Sequence, residues 1–138
     1  MLIILYHTSK SMQIMKGSWR GTIVVSTFSD EGSASEIARR VLEAKLCACV
    51  NITRIRSMYR WKGKLEDQQE YLAIFKTTKL AAPRLKKSIA SLHPYDVPEI
   101  VELEMRDVSK PYLSWMVQET SPNRVSKERN NPSKRRDP

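Results

Sequence analysis

The alternation of apolar and polar residues changes its period several times along the chain, and each change predicts a new element. The run Thr22–Phe28 is short and rich in β-branched residues, which predicts a buried strand. After a turn, apolar residues recur at helical spacing, at Ala34, Ile37, Ala38, Val41 and Leu42. Ser33 and Glu36 match the S-x-x-E capping box, so an amphipathic helix is expected to begin here and to end near Lys45.

The next segment has the composition of a long β-hairpin. From Cys47 to Trp61 the residues are β-formers, but the apolar positions shift by one residue at Ile55, which suggests a bulge. Lys62 and Gly63 interrupt the run, and Glu70–Thr78 resumes it. Residues 47–78 are therefore predicted to form one hairpin.

The second half of the chain repeats the helix and strand signals. Leu80–Leu92 has a helical period and ends at His93, and Glu99–Met105 alternates as a strand. Ser109 and Pro111 begin a short last helix. The order β-α-β-β-α-β followed by a helix predicts an α+β protein with the ferredoxin-like arrangement, in which two helices cover one face of a four-stranded antiparallel sheet.

The third strand is apolar on both faces, since Tyr71, Ala73 and Phe75 alternate with Leu72 and Ile74. A monomer would leave one of these faces in water. Large exposed apolar patches usually mark interfaces, so association between subunits is expected.

Length and charge define the domains and exclude several classes of protein. The 138 residues are enough for one domain and too few for a TIM barrel or a complete dinucleotide-binding enzyme. The net charge of +9 divides into +3 on an N-terminal extension (1–20), +2 on the domain (21–120) and +4 on a basic tail (121–138), which is expected to be flexible. Because the domain is nearly neutral, a specific nucleic-acid interface is not expected. No apolar run approaches the roughly 20 residues that cross a bilayer, so no membrane role is expected.

Two cysteines, Cys47 and Cys49, are two residues apart in the predicted strand, a spacing poorly suited to a disulfide. With no disulfide framework and no convincing secretory signal, a reducing cytoplasm is the expected compartment. Packing as small buried hydrophobic residues is the simplest role for both, while an exposed thiolate could capture Cu(I).

Five segments resemble, in order and spacing, the CutA divalent-cation tolerance proteins: KLCACVN (45–51), SMYRWKGKLED (57–67), FKTT (75–78), LHPYDVPEIVEL (92–103) and YLSWM (112–116). The resemblance covers residues 21–120. It implies a ferredoxin-like subunit in a tight homotrimer whose long hairpins pair across subunits. It also implies a role in tolerance of copper or other divalent cations. Met58, Tyr59 and Trp61, near the tip of the hairpin, would suit such an intersubunit core.

The resemblance also implies candidate copper ligands. Carried over by position, they are Glu70 in the third strand and His93 at the HPY block. Ser26 occupies the position of a proposed cysteine ligand, and Leu92 stands where some members have a second histidine. A hydroxyl is a poor copper ligand, so tight binding would need further carboxylates or other subunits. The structural alternatives are a His93 that bonds nearby backbone, and a Glu70 that is solvated or paired with a base such as Lys76.

Catalysis is not expected, and two other binding functions are weaker alternatives. The loop Ser29–Gly32 carries two acids, which would repel the phosphate bound by acylphosphatase-like proteins, and no nucleophile motif is present. An RNA-binding domain shares the element order, but EYLAIFKTT (70–78) lacks the motif that presents aromatic residues to bases. A signalling trimer of PII-like architecture, which binds a small ligand or a protein between its subunits, is the other alternative.

Overall fold

The computed structural model of the chain describes residues 19–122, and the rest of the predicted N-terminal extension and basic tail lies outside the described residues. Seven elements follow in order: β1 (Gly21–Phe28), α1 (Glu31–Glu43), β2 (Cys49–Trp61), β3 (Lys64–Thr78), α2 (Ala82–Leu92), β4 (Val101–Glu104) and α3 (Lys110–Glu119). The predicted order of elements, with its additional C-terminal helix, is confirmed. No helix within residues 19–122 is both long enough and apolar enough to cross a membrane.

The four strands form one antiparallel sheet in the order β2-β3-β1-β4. The first strand in the sequence therefore lies in the interior of the sheet, between β3 and β4. Its register pairs Phe28 with Tyr71 and Gly21 with Thr78, and Thr22 pairs with Glu104 on the other side. This is the predicted ferredoxin-like α+β arrangement.

The hairpin of β2 and β3 is more regular than the sequence suggested, and it begins at Cys49 rather than Cys47. Its register runs without interruption from Cys49 opposite Lys76 to Trp61 opposite Lys64, so the bulge predicted near Ile55 is wrong. The strands are joined by a two-residue turn in which Lys62 and Gly63 have φ of 49° and 78°. Left-handed conformations at both positions match the twist of the flanking strands.

The outer part of this hairpin extends beyond the sheet. β1 pairs with β3 only as far as Tyr71, so residues 64–70 pair with 55–61 and with no other strand among the described residues. At about 3.3 Å per residue, this two-stranded overhang is roughly 20 Å long. It carries the exposed side chains of Met58, Trp61 and Leu65.

The helices bury one face of the sheet and leave most of the other uncovered. Val24, Phe28 and Phe75 pack against α1 and α2 and are fully buried. On the opposite face, Val101 and Leu103 are 42% and 53% exposed. Half-buried apolar residues lie beside them on this face, namely Ile23, Val25, Leu72 and Ile74. α3 contacts β3, and the buried side chain of Met116 lies next to Gly21, whereas the rest of this second face is open in the described chain.

The first helix is capped by a residue that the sequence pattern did not select. Asp30 is the N-cap: its Oδ1 accepts the Ser33 N–H at 2.7 Å, and its Oδ2 accepts the Ser33 hydroxyl at 2.9 Å. These hydrogen bonds lower the pKa of Asp30. The predicted capping box is wrong. Ser33 is already inside the helix, and its N–H is one of the groups that need a cap. The Glu36 side chain pairs with Arg39 instead of reaching back to the start of the helix.

Candidate functional site

The end of α2 places an imidazole against the sheet. His93 follows the last helical residue, and its N–H donates to the Ile89 carbonyl at 2.9 Å. Its ring stacks on the buried ring of Phe28, with centroids 4.5 Å apart and planes 15° apart. Only 9% of His93 is exposed. The helix end and the last residue of β1 therefore hold this side chain in place.

Both ring nitrogens of His93 are engaged with backbone groups. Nδ1 accepts the Tyr95 N–H at 3.1 Å, so the neutral ring carries its proton on Nε2, which donates to the Thr27 carbonyl at 2.9 Å. Burial lowers the pKa of His93, although the Thr27 carbonyl and the Glu70 carboxylate oppose this shift. This arrangement leaves no nitrogen lone pair for a metal. It matches the alternative in which His93 fixes the loop after its helix.

Glu70 lies at the end of the sheet, where the overhang begins, and only 6% of it is exposed. Its Oε2 accepts the Tyr95 hydroxyl at 2.8 Å. Burial, followed by this carboxylate, raises the pKa of Tyr95 to about 12. Within residues 19–122, no base lies within ion-pair distance of Glu70. The expectation of a solvated carboxylate is therefore wrong, and Lys76 instead lies 6.0 Å above the Tyr112 ring.

The structure joins Glu70 and His93 through a residue that sequence reasoning did not assign a role. Tyr95 uses its N–H for His93 and its hydroxyl for Glu70, and these three residues form what we call the Glu70–Tyr95–His93 network. Tyr95 is the third letter of the HPY block. Its place in the HPY block was the sequence feature that could have pointed to Tyr95. A phenol is not an expected copper ligand, so the residue type gave no reason to select it.

Ser26 does not join this network. It lies on the helix-covered face of the sheet with Val24 and Phe28, is fully buried, and its hydroxyl has no hydrogen-bond partner within residues 19–122. Glu70 has the opposite strand parity and points to the second face. Across residues 19–122, no set of three or more His, Cys, Asp and Glu side chains is arranged to hold a metal ion. The described part of one chain therefore does not form a complete copper site.

The two thiols are free and differ in their environment. Cys47 is buried in the core, and burial, with a smaller contribution from Cys49, raises its pKa to about 12. A thiol with such a high pKa is a poor ligand and nucleophile, so Cys47 has the packing role considered for it. Cys49 is half-buried, and its sulfur lies 3.7 Å from Asn51 Oδ1.

A groove of about 910 Å³ opens beside the network. One wall is the hairpin overhang and the other is the loop between α2 and β4, which we call the 94–99 loop. Ile55, whose shifted position in the apolar pattern suggested a bulge, is half-buried and lines this groove together with Tyr95.

These features define a class: a small ferredoxin-like α+β domain with one uncovered sheet face, a long hairpin and a groove beside a buried tyrosine–carboxylate pair. Residues 22–119 match the family model of the CutA1 divalent ion tolerance protein. The chain belongs to this family, which confirms the resemblance seen in the sequence.

Curated relatives agree with this assignment. The divalent-cation tolerance protein CutA of Pyrococcus horikoshii is 42% identical over 98 residues, which cover 71% of this chain and 96% of that protein. Protein CutA of Mus musculus is 44% identical over 95 residues, covering 68% of this chain and 54% of the mouse protein. The name of the Pyrococcus horikoshii protein states a role in divalent-cation tolerance and no enzymatic activity.

Solved structures agree on the fold. The crystal structure of CutA1 from Pyrococcus horikoshii superposes with a TM-score of 0.70 at 40% identity, covering 72% of this chain and 98% of that one. CutA from Synechococcus elongatus PCC7942 gives 0.72 at 34% identity, covering 76% and 94% of the two chains.

Proposed function

We propose that this protein is a non-enzymatic homotrimer that contributes to divalent-cation tolerance by binding copper or another divalent cation. The observation that carries the proposal is the family match, which spans nearly all of the described domain. We also propose a cytoplasmic location, which the two free thiols support because a reducing compartment preserves them.

Three features support association into a trimer. The second face of the sheet exposes Val101 and Leu103, and the overhang has strand partners only within itself in the described chain. β4 is a short strand at the edge of the sheet, and no other strand of residues 19–122 pairs with its outer side. A neighbouring subunit would cover the apolar face and pair with unpaired strand edges in one step.

Light scattering at several protein concentrations tests the trimer. The expected mass is three times the 16.0 kDa of one chain, and a stable 16.0 kDa particle would contradict the proposal. Leu103→Lys on the uncovered face is expected to promote dissociation. Leu80→Lys, at an exposed leucine in the β3–α2 connection, is the matched control and is expected to leave the mass unchanged.

For the cation, we propose that Glu70 supplies a buried carboxylate and that His93 supplies an imidazole once it gives up one of its backbone hydrogen bonds. Copper favours imidazole, and the network already holds the two side chains close enough for Glu70 to influence the pKa of His93. Two ligands are too few for a tight site. The groove carboxylates of Asp96 and Glu99, or groups from other subunits, would complete it.

Calorimetric titration of the purified protein with Cu(I), Cu(II) and Zn(II) tests this assignment. Glu70→Gln and His93→Ala are each expected to weaken binding, whereas Glu43→Gln, which removes an exposed carboxylate from α1, is expected to have no effect. Isotherms that are the same for all variants would remove Glu70 and His93 from the site without affecting the fold.

The PII-like signalling alternative is favoured by one observation, the groove beside the network, which is large enough for a small organic ligand. Capture of a specific protein or metabolite without bound metal would favour it over metal binding. The RNA-binding alternative is weakened because Tyr71 and Phe75 face the helices and cannot stack on bases.

A further inference from the structure

The groove beside the network is lined by a distinctive set of side chains. Its walls contain aromatic rings and a thioether, and they also contain three carboxylates. The aromatic residues are Tyr59, Trp61 and Tyr95, the thioether is Met58, and the acids are Glu70, Asp96 and Glu99. Apolar rings beside acidic groups can recognise an organic cation, because the ring faces attract positive charge while the carboxylates balance it.

The acidic charge within the groove is not balanced by the residues of 19–122 that line it. Arg56 is the one base among the described residues that line the groove. Its guanidinium is already held by Asp67, with Nε 2.8 Å from Oδ1 and Nη2 2.6 Å from Oδ2. Glu70 has the Tyr95 hydroxyl as its hydrogen-bond donor and no ion-pair partner within residues 19–122. Glu70 is 6% exposed as a residue and lines the groove, so a cation that enters the groove can pair with its carboxylate.

Two tyrosine hydroxyls bond to β3, one at this carboxylate and one at Gln68. The Tyr95 hydroxyl bonds to Glu70 directly, and the Tyr59 hydroxyl donates to Gln68 Oε1 at 3.1 Å, on the same face of β3. Burial, with a smaller contribution from the Glu70 charge, raises the pKa of both phenols. The Lys62 ammonium lies 5.9 Å from the Trp61 ring centroid, within the range of a cation–π contact.

We propose that the groove binds a small organic ammonium ion, with Glu70 as its counter-charge and Tyr59 and Tyr95 as its aromatic walls. In a single chain the groove measures about 910 Å³, which suits an organic molecule and is far larger than a bare metal ion needs. The imidazole nitrogens of His93 are both occupied, whereas an ammonium requires no lone pair from them. The inference does not depend on the proposed copper function, although both use Glu70.

Calorimetry on the full-length protein in its native assembly tests the proposal, with choline as the probe and a metal chelator present. Its uncharged isostere 3,3-dimethylbutan-1-ol separates charge from shape. Choline is expected to bind saturably and roughly tenfold more tightly than the alcohol. Glu70→Gln is expected to weaken choline binding about tenfold and Tyr59→Leu several-fold, while Glu43→Gln leaves it unchanged. Circular dichroism confirms that each variant is folded, and Tyr59→Leu provides the test if Glu70→Gln does not fold.

Several results would overturn the inference. These are the absence of choline binding, equal affinity for choline and the alcohol, or affinity that is unchanged in both Glu70→Gln and Tyr59→Leu. Binding that occurs only after residues 123–138 are deleted would assign the groove to the protein's own basic tail instead. Copper binding that depends on Glu70, without choline binding, would support the proposed function and reject this inference. Choline binding without copper binding would support this inference and reject the proposed copper site.

Discussion

Replacing Tyr95 with Phe removes one hydroxyl from the Glu70–Tyr95–His93 network and keeps the aromatic ring. The hydroxyl donates to Glu70 at 2.8 Å, and Glu70 is almost fully buried. A hydrogen bond to a charged group contributes about 1.5–3 kcal/mol, and the loss of the one donor that Glu70 has within residues 19–122 is expected to lie within this range. We therefore expect Tyr95→Phe to lower the free energy of unfolding by about 2 kcal/mol.

A double-mutant cycle isolates the charge of the acceptor. In a Glu70→Gln background the acceptor is neutral, and the same Tyr95→Phe change is expected to cost only about 1 kcal/mol. Urea unfolding measures all four proteins at one protein concentration, since association makes apparent stability depend on concentration. Ultraviolet titration of the wild type should show one tyrosine ionising with a pKa of about 12 that is missing from Tyr95→Phe.

Two results would refute this reasoning. A cost below about 0.5 kcal/mol would mean that water or another group replaces the hydroxyl at Glu70. An equal cost in both backgrounds would mean that Tyr95→Phe acts through packing rather than through the carboxylate.

Three further predictions concern the turn, the helix cap and the buried imidazole. Gly63→Ala is expected to cost about 1 kcal/mol, because φ is +78° and nothing lies within 4 Å of the added Cβ, so that only backbone strain acts. Asp30→Ala is expected to cost about 1 kcal/mol through loss of the bonds to Ser33, and both variants are measured by urea unfolding. Burial lowers the pKa of His93 in the folded protein, so the unfolded chain binds the proton more readily. The contribution of His93 to stability is therefore expected to be complete above pH 6.5. It is expected to fall as the pH drops below 6.5 toward the folded-state pKa.

Each of these predictions has a matched control. Lys62→Asn should stabilise the turn, since Asn tolerates left-handed φ better than Lys does, and Asp30→Ser should keep the cap. His93→Gln should flatten the pH dependence between about pH 5 and pH 7, where carboxylates titrate little. An unchanged pH slope in His93→Gln would contradict the explanation from the buried imidazole. If Asp30→Ser were as unstable as Asp30→Ala, the cap would not be the cause. If Gly63→Ala had no effect on stability, the turn would not be strained by a side chain at this position.

Local periodicity was sufficient to predict the order of elements but not all of their ends. Glu70–Thr78 was expected as a strand because its apolar residues alternate, whereas β3 begins at Lys64, in a polar segment with no such pattern. That segment is held in register by its partner strand and by the turn at Lys62 and Gly63. Pairing across strands is not visible in the hydrophobicity of one strand alone.

The candidate site shows a similar limit. Family position indicated Glu70 and His93, and both lie in one network, but their contacts depend on a loop whose path the sequence does not reveal. The backbone N–H of Tyr95 donates to His93 Nδ1. Every residue except proline has a backbone N–H, so this hydrogen bond cannot be predicted from the type of residue. Strand parity could have shown that Ser26 and Glu70 lie on opposite faces, once the register of β1 with β3 was known.

The interior position of β1 has a consequence for synthesis on the ribosome. This strand is made before the other strands, yet its partners in the sheet are β3 and the distant β4, whose Glu102 bonds to the Thr22 hydroxyl across 80 residues of sequence. The hairpin of β2 and β3 can form from local contacts while the edge of β1 that pairs with β4 is still unpaired. The nascent domain therefore exposes one unpaired edge of β1 until β4 leaves the ribosome. During this period the chain is most prone to aggregate, and chaperone binding would be most useful.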